Sequence, residues 1–209
     1  MDILVIASEN QKHELTSNGI KENVNLEWTE DLHLVNQKKY EVIIDLLFEN
    51  DPDRIDILQN QDSLVIINSV MDTLIQTSES FIRLNGWDGF LSAPILEAAC
   101  NDDSLKQKAE AVLSSFNKKI EWLPDEVGFV SPRVISMIIN EAFLALEEGV
   151  SSEEDINTAM KLGTNYPYGP FEWAEKIGVH KVSALLTRLS IDNPHYTPCR
   201  LILQSEESC

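Results

Sequence analysis

A doubly wound parallel α/β domain followed by an all-α domain is what this sequence predicts, and three observations predict it. Short apolar segments alternate with amphipathic helical stretches from Ile3 to Trp122. Two of those segments, around Val42-Ile43-Ile44 and Leu64-Val65-Ile66-Ile67, are apolar at consecutive positions. Strands of that kind lie inside a parallel sheet covered on both faces. After Asp125 the apolar residues recur with the helical period of about 3.6 throughout.

Ile3 to Ala7 reads as the first buried strand, and Glu9 to Ser17 as a polar helix. Asn23 to Trp28 alternates apolar and polar residues like a half-exposed strand. Asp31 to Lys39 carries a weak helical stripe in Leu32, Leu34 and Val35. Tyr40 to Phe48 is the strongest strand, Asp53 to Leu58 a helix, and Ser63 to Asn68 a second buried strand. Phe81 to Leu84 and Phe90 to Ile95 are ambiguous. Ser104 to Phe116 spaces Leu105, Ala109, Val112 and Leu113 three or four apart, the mark of an amphipathic helix. Lys119 to Trp122 closes this half as a strand.

In the second half Ser131 is expected to cap a helix whose first turn holds Pro132 and which Gly149 ends. Ser151 and Glu154 form a capping-box pair for the next helix, with Gly163 as its stop. Pro170 to Ile177 and Val179 to Ser190 are two further helices, separated by Gly178. The tail from Asp192 is expected to fray except at Leu201-Ile202-Leu203. The reading therefore divides the chain into domains 1–124 and 125–209.

The 35 acidic and 16 basic side chains give a formal net charge of -19. Such a surface repels phosphates, so nucleic acid and anionic membranes are poor partners. Cys100, Cys199 and Cys209 show no metal-ligand spacing and are too few for a disulfide framework. Reduced thiols and a cytoplasmic location are expected. The apolar run Ile3–Ala7 is too short for a secretory signal, and no stretch has the length of a membrane span.

Asp125-Glu-Val-Gly-Phe-Val-Ser-Pro-Arg133 resembles the signature D-x-P-G-F-x-x-N-R of the 3-hydroxyacyl-CoA dehydrogenase family. Asn140-Glu-Ala, then Glu147-Glu-Gly-Val-Ser-Ser-Glu-Glu-Asp-Ile-Asn-Thr-Ala-Met160, match its N-E-A and E-G-V-A-x-x-x-D-I-D-x-A-M runs. Tyr166-Pro-Tyr-Gly-Pro-Phe-Glu172 completes the set with G-P-F-E. Three linked motifs in family order are a specific signal. The N-terminal half matches more weakly, through Tyr40–Asn50, Ile66–Ser69 and Pro94–Glu97, and lacks the long helical insertion the family has between its first and third strands. The resemblance implies a Rossmann-like parallel-sheet domain, shortened here, and an all-α C-terminal domain of the 6-phosphogluconate dehydrogenase C-terminal-like kind.

The family's reaction passes a hydride from a 3-hydroxyacyl thioester to NAD, with a histidine as base and a glutamate orienting it. The resemblance places that catalytic glutamate at Glu97 and a substrate-binding asparagine at Asn68. Asp88 occupies the histidine's place, and none of His13, His33, His180 or His195 lies near it in the sequence. Beside Glu97, Asp88 could act as a base only with a carboxyl pushed upward, as a paired-carboxylate site would need. The glycines of the G-x-G-x-x-G turn become Ala7, Glu9 and Lys12, which argues against a dinucleotide on this turn. The family's second substrate asparagine is Pro132, and the serine after its S-N-T run is Val70; neither side chain can donate.

The expectation is a degenerate family member with no cofactor, neither NAD nor metal, that does not turn over substrate and acts as a homodimer through its C-terminal helices. The alternatives are an active NAD-dependent 3-hydroxyacyl-CoA dehydrogenase of fatty-acid metabolism, and a module that binds acyl-CoA or a small acid. The Tyr166–Phe171 loop is open to two readings, a core connection or part of a ligand or dimer face.

Overall fold

The structure, a computed structural model, describes residues 1–22 and 24–206; Asn23 and the last three residues, Cys209 among them, lie outside the described residues. The chain divides into two compact units, Met1–Phe129 and Val130–Cys209.

The first unit is a seven-stranded sheet. Its strands are β1 (Asp2–Ile6), β2 (Asn25–Thr29), β3 (Val42–Asp45), β4 (Leu64–Asn68), β5 (Ile82–Leu84), β6 (Ile95–Cys100) and β7 (Lys119–Trp122). They lie in the order β2-β1-β3-β4-β5-β6-β7. All neighbours are parallel except β5 and β6. The alternation of side chains along β1, β3 and β4 builds two apolar layers. Ile3, Val5, Val42, Ile44 and Ile66 meet Leu15 of helix α1 (Glu9–Thr16) and Ala109, Val112 and Leu113 of α3 (Asp103–Ser114). Leu4, Ile6, Ile43, Val65 and Ile67 face the other way, towards Val35, Phe81 and Leu58 of α2 (Pro52–Gln59). Burying each such side chain contributes about 1.5–3 kcal/mol, which is why these three strands are the framework of the unit.

Two elements of this unit differ from the sequence reading. Asp31 to Lys39 yields only a 3₁₀ turn over Leu32–Asn36, since its stripe buries Val35 alone. The stretch Phe90–Ile95, ambiguous in the sequence, is a turn as far as Pro94, and the strand lies over Ile95–Cys100, with Ala98 and Ala99 buried against the sheet. Running antiparallel, it brings its first residues to the end of the sheet where the parallel strands finish.

The second unit holds α4 (Ser131–Glu147), α5 (Glu153–Thr164), α6 (Pro170–Ile177), α7 (Val179–Ser190) and α8 (Arg200–Glu206). Ser131 does not cap α4: the helix begins on it, Val130 takes the cap position, and no side chain supplies the cap bond. The cap of α5 is Ser152, one residue beyond Ser151, with its hydroxyl accepting from the Asp155 N–H at 3.2 Å. Gly163 does not stop α5 either; the helix ends on Asn165, which adopts φ 56°. Gly178, at φ 94°, does turn the chain between α6 and α7, a backbone state that a side chain would strain. Thr197 and Cys199, where the sequence suggests fraying, are tied down. The Asn140 side chain donates to the Thr197 carbonyl at 3.1 Å and accepts from the Cys199 N–H at 2.8 Å. Ile202 then packs with 0% exposure. In the Tyr166–Phe171 loop, Phe171 packs on Phe143 with ring centroids 4.9 Å apart, and Tyr168 meets Trp173 edge-on at 5.0 Å.

Candidate functional site

In an open α/β sheet, ligands sit beyond the carboxyl ends of the strands, where the strand order reverses. Here the reversal falls between β1 and β3. The chain leaves β1 through Ala7 and enters α1 at Glu9, so the first turn of α1 stands over that crevice. Ser8 caps the helix: its hydroxyl accepts from the Gln11 N–H at 3.3 Å, and Gln11 Oε1 accepts from the Ser8 N–H at 3.1 Å. Gln11 is 8% exposed, and its Nε2 crosses the crevice to donate to the carbonyl of Leu46 at 2.9 Å. A pyrophosphate bound in the usual way needs these first-turn N–H groups and the space in front of them. In this chain a side chain takes one of the N–H groups and Gln11 fills part of the space. Glu9 points into solvent and pairs with Lys12 at 3.3 Å, so its charge is largely screened. The obstacle to a dinucleotide is thus the capping box and the Gln11 bridge more than the charge of Glu9. The residues present do not fit NAD on this turn.

Asn68, the expected substrate asparagine, ends β4. Its Nδ2 donates to the same Leu46 carbonyl at 3.1 Å, and its Oδ1 accepts from the Gly86 N–H at 2.9 Å. The approach is so close that a Cβ on residue 86 would come within 2.7 Å of the Asn68 Cγ. Only glycine lets the segment after β5 reach this amide. Asn68 therefore ties together the ends of β3, β4 and β5.

Glu97, the expected catalytic carboxylate, lies near the start of β6. The Asn85 side chain donates to its Oε2 at 3.5 Å, and the Asn85 N–H to its backbone carbonyl at 2.9 Å. Asn85 and Gly86 thus contact Glu97 and Asn68 respectively, bringing the two to one end of the sheet. Asp88, expected at the histidine's place, accepts from Asn10 Nδ2 at 2.8 Å. One residue on, the Gly89 N–H donates to both oxygens of Glu14, at 2.8 and 3.0 Å. The loop after β5 is thereby bound twice to α1.

Sequence reasoning misses four buried polar groups around this end of the unit. Glu14 is 6% exposed, on a helix whose sequence is polar but for Leu15. Lys118 is 2% exposed and donates to the Ala93 carbonyl at 3.0 Å; burial pulls its ammonium below the usual lysine range. Asp45, fully buried at the end of β3, is gripped by Arg54 through Nε at 2.8 Å and Nη2 at 2.6 Å. Burial nonetheless pushes its carboxyl upward. Arg83, also fully buried, donates to Asp125 and to the carbonyls of Ser69 and Glu126, and stacks on the Phe129 ring at 4.1 Å. The one signal in the sequence is the charge itself, a single arginine in the short strand Ile82–Leu84. Among the described residues no cluster of three or more His, Cys, Asp or Glu could hold a metal ion, and no helix is long and apolar enough to cross a membrane.

Residues 128–206 match the family model of the 3-hydroxyacyl-CoA dehydrogenase C-terminal domain. Residues 128–206 thus form a C-terminal domain of the 3-hydroxyacyl-CoA dehydrogenase kind. A stretch of 112 residues is 43% identical to the 3-hydroxyadipyl-CoA dehydrogenase of Escherichia coli K12, covering 53% of this chain and 24% of that protein. A further match, over 94 residues at 36% identity, is to a probable 3-hydroxybutyryl-CoA dehydrogenase of Bacillus subtilis and covers 44% of this chain and 33% of that protein. The matches thus span less than half the length of these curated relatives. In fold, the chain superposes over 99% of its length on the (S)-3-hydroxybutyryl-CoA dehydrogenase of Ralstonia eutropha, with a TM-score of 0.74 at 19% identity, covering 93% of that chain. That likeness carries the architecture, a Rossmann-like sheet unit followed by a helical unit, and no more.

Proposed function

We propose that this chain is a member of the 3-hydroxyacyl-CoA dehydrogenase family that does not bind NAD or turn over substrate, and that it serves as a dimeric interaction protein. The observation that carries the reading is the turn after β1. Its capping box and the Gln11 bridge to Leu46 use the groups and the space that a pyrophosphate requires. Two further observations support it. The Asn68 amide has its oxygen and one N–H engaged in holding three strand ends. Asp88, expected at the histidine's place, is bonded to Asn10.

The other reading, an active dehydrogenase, has in its favour the names of the relatives. It requires a base, a cofactor and an oxygen-polarising group together. Positioning of reactants supplies about 7–11 kcal/mol of barrier lowering, and general-base help about 10²–10⁴-fold in rate. A chain without the cofactor turn forgoes the first of these whatever residue supplies the second.

The deciding experiment follows NADH formation from 3-hydroxybutyryl-CoA and NAD. No turnover is expected, and a rate above about 1 s⁻¹, the low end for ordinary enzymes, overturns the proposal. Thermal shift with acetoacetyl-CoA and with free CoA tests the acyl-CoA-binding alternative, since a ligand bound to the native state raises the midpoint.

A further inference from the structure

Helices α4 and α5 bound a groove of about 570 Å³. Its lining is apolar and only partly covered: Met137, Ile138 and Ala145 of α4, and Ile156 and Met160 of α5, are half-buried. Ile156 and Met160 stand one turn apart, so α5 turns its apolar side to the groove. Yet none of the twelve residues of α5 is buried. A helix this short is marginal in water without a face to pack on. A concavity of this size, lined by apolar side chains with a few polar groups at its edge, has the dimensions of a small-molecule site, about 300–1,000 Å³.

Charge and length say which ligand. Arg133 is half-buried in the lining. A guanidinium carries five N–H donors in a planar fork, so it accommodates a carboxylate beside the contacts it already makes. Glu141 lies two turns further along α4 and is exposed at the rim. It repels an anion, so an acidic head belongs at Arg133, with its chain running on over Met137 and Ile138 towards Ala145. The exposed His195 and the half-buried Tyr196 complete the polar lining. From Arg133 to Ala145 the helix rises about 18 Å at 1.5 Å per residue. Decanoate in extended form, advancing about 1.3 Å for each C–C bond of about 1.52 Å, reaches about 12 Å and fits within that span. Met137 and Met160 are unbranched and flexible, which suits them to mould around a linear chain. The net charge of -19 tells against a head with several charges. One arginine offsets one carboxylate, not the phosphates of a CoA.

We propose that the groove between α4 and α5 binds one aliphatic monocarboxylate of medium length, its carboxylate on Arg133 and its chain over Met137, Ile138 and Met160. The site is built wholly from the helical unit, so it stands or falls independently of the reading of the turn after β1.

Isothermal titration calorimetry of the full chain with sodium decanoate at neutral pH tests it. Saturable one-to-one binding with a dissociation constant below about 100 µM is expected. Octanoate should bind about tenfold more weakly, because two methylenes fewer leave water. Decanol and decanoyl-CoA should each bind about tenfold more weakly than decanoate or worse, the first for want of a charged head and the second for an excess of charge. Arg133→Gln should weaken decanoate by about tenfold and leave decanol unchanged. Met160→Trp fills the groove and should abolish decanoate binding with the far-UV circular dichroism unchanged. If that variant does not fold, Ala145→Leu serves instead: it shortens the far end and should weaken dodecanoate while sparing octanoate. No saturable binding up to about 1 mM, or decanol binding as tightly as decanoate, overturns the proposal. Decanoyl-CoA binding more tightly than decanoate overturns it too, by making the ligand a thioester. An affinity for decanoate that falls as the protein concentration rises would put a second copy of the chain in the groove and overturn it likewise.

Discussion

Replacing Arg83 by methionine should lower the stability of the sheet unit by about 3 kcal/mol. The guanidinium has 0% exposure and meets four groups: the Asp125 carboxylate, the Ser69 and Glu126 carbonyls, and the Phe129 ring. Methionine keeps much of the volume and none of the donors. It leaves Asp125, whose side chain is only 16% exposed, with the Leu74 N–H at 2.9 Å but without its cation. It also takes a donor from each of two carbonyls. Breaking a buried pair on one side costs about 3–5 kcal/mol; the residual exposure of Asp125 argues for the lower end. With a urea m-value of about 2 kcal/mol/M, the midpoint should fall by about 1.5 M. Urea unfolding followed by tryptophan fluorescence measures this directly. A double-mutant cycle with Asp125→Asn should show strong coupling, because the second substitution relieves the charge the first leaves behind. A midpoint shift below about 0.5 M, no more than 1 kcal/mol at that slope, would refute the assignment of Arg83 as the centre of this cluster.

Other outcomes follow from the same structure. Gly86→Ala should destabilise by about 1–3 kcal/mol, as overpacking does, and Asn68→Ala in the same chain should relieve part of the cost by removing the Cγ and Oδ1 that the new Cβ meets; thermal unfolding measures both. Lys118 is pulled below its ordinary value near 10.5, so in the interval beneath 10.5 the native state binds fewer protons than the unfolded one. Stability should therefore rise with pH across that interval in the wild type and rise less in Lys118→Met, a difference readable from urea midpoints at paired pH values. Asp88→His should restore no NADH formation from 3-hydroxybutyryl-CoA, because it returns only the base; activity appearing in this variant would show that the cofactor turn functions after all.

Much of the sheet is legible in the sequence because burial on both faces leaves a continuous apolar run. β1, β3 and β4 carry such runs, and nothing but a covered strand explains them. β6 is not legible because Ala98 and Ala99 are small and weak strand formers, buried through their neighbours rather than by their own bulk. The anchored tail is hidden for a similar reason: Asn140 fixes it from nearly sixty positions away. In the site, the turn after β1 can be judged from sequence, since glycine there is a requirement of backbone geometry. That Gln11 reaches across to Leu46 cannot, because the two are 35 positions apart and the bond exists only once β1 and β3 are paired. Glu14, Asp45 and Lys118 are invisible because a charged residue reads as solvated until its partners are placed.

Titration of the purified chain with NADH, followed by nicotinamide fluorescence, tests most directly the proposal that the crevice at the end of β1 takes no dinucleotide. No saturable binding is expected up to millimolar cofactor, because binding would have to displace the Ser8–Gln11 capping box and the Gln11 bridge. A dissociation constant below about 100 µM, some -5.5 kcal/mol of binding, would contradict the account.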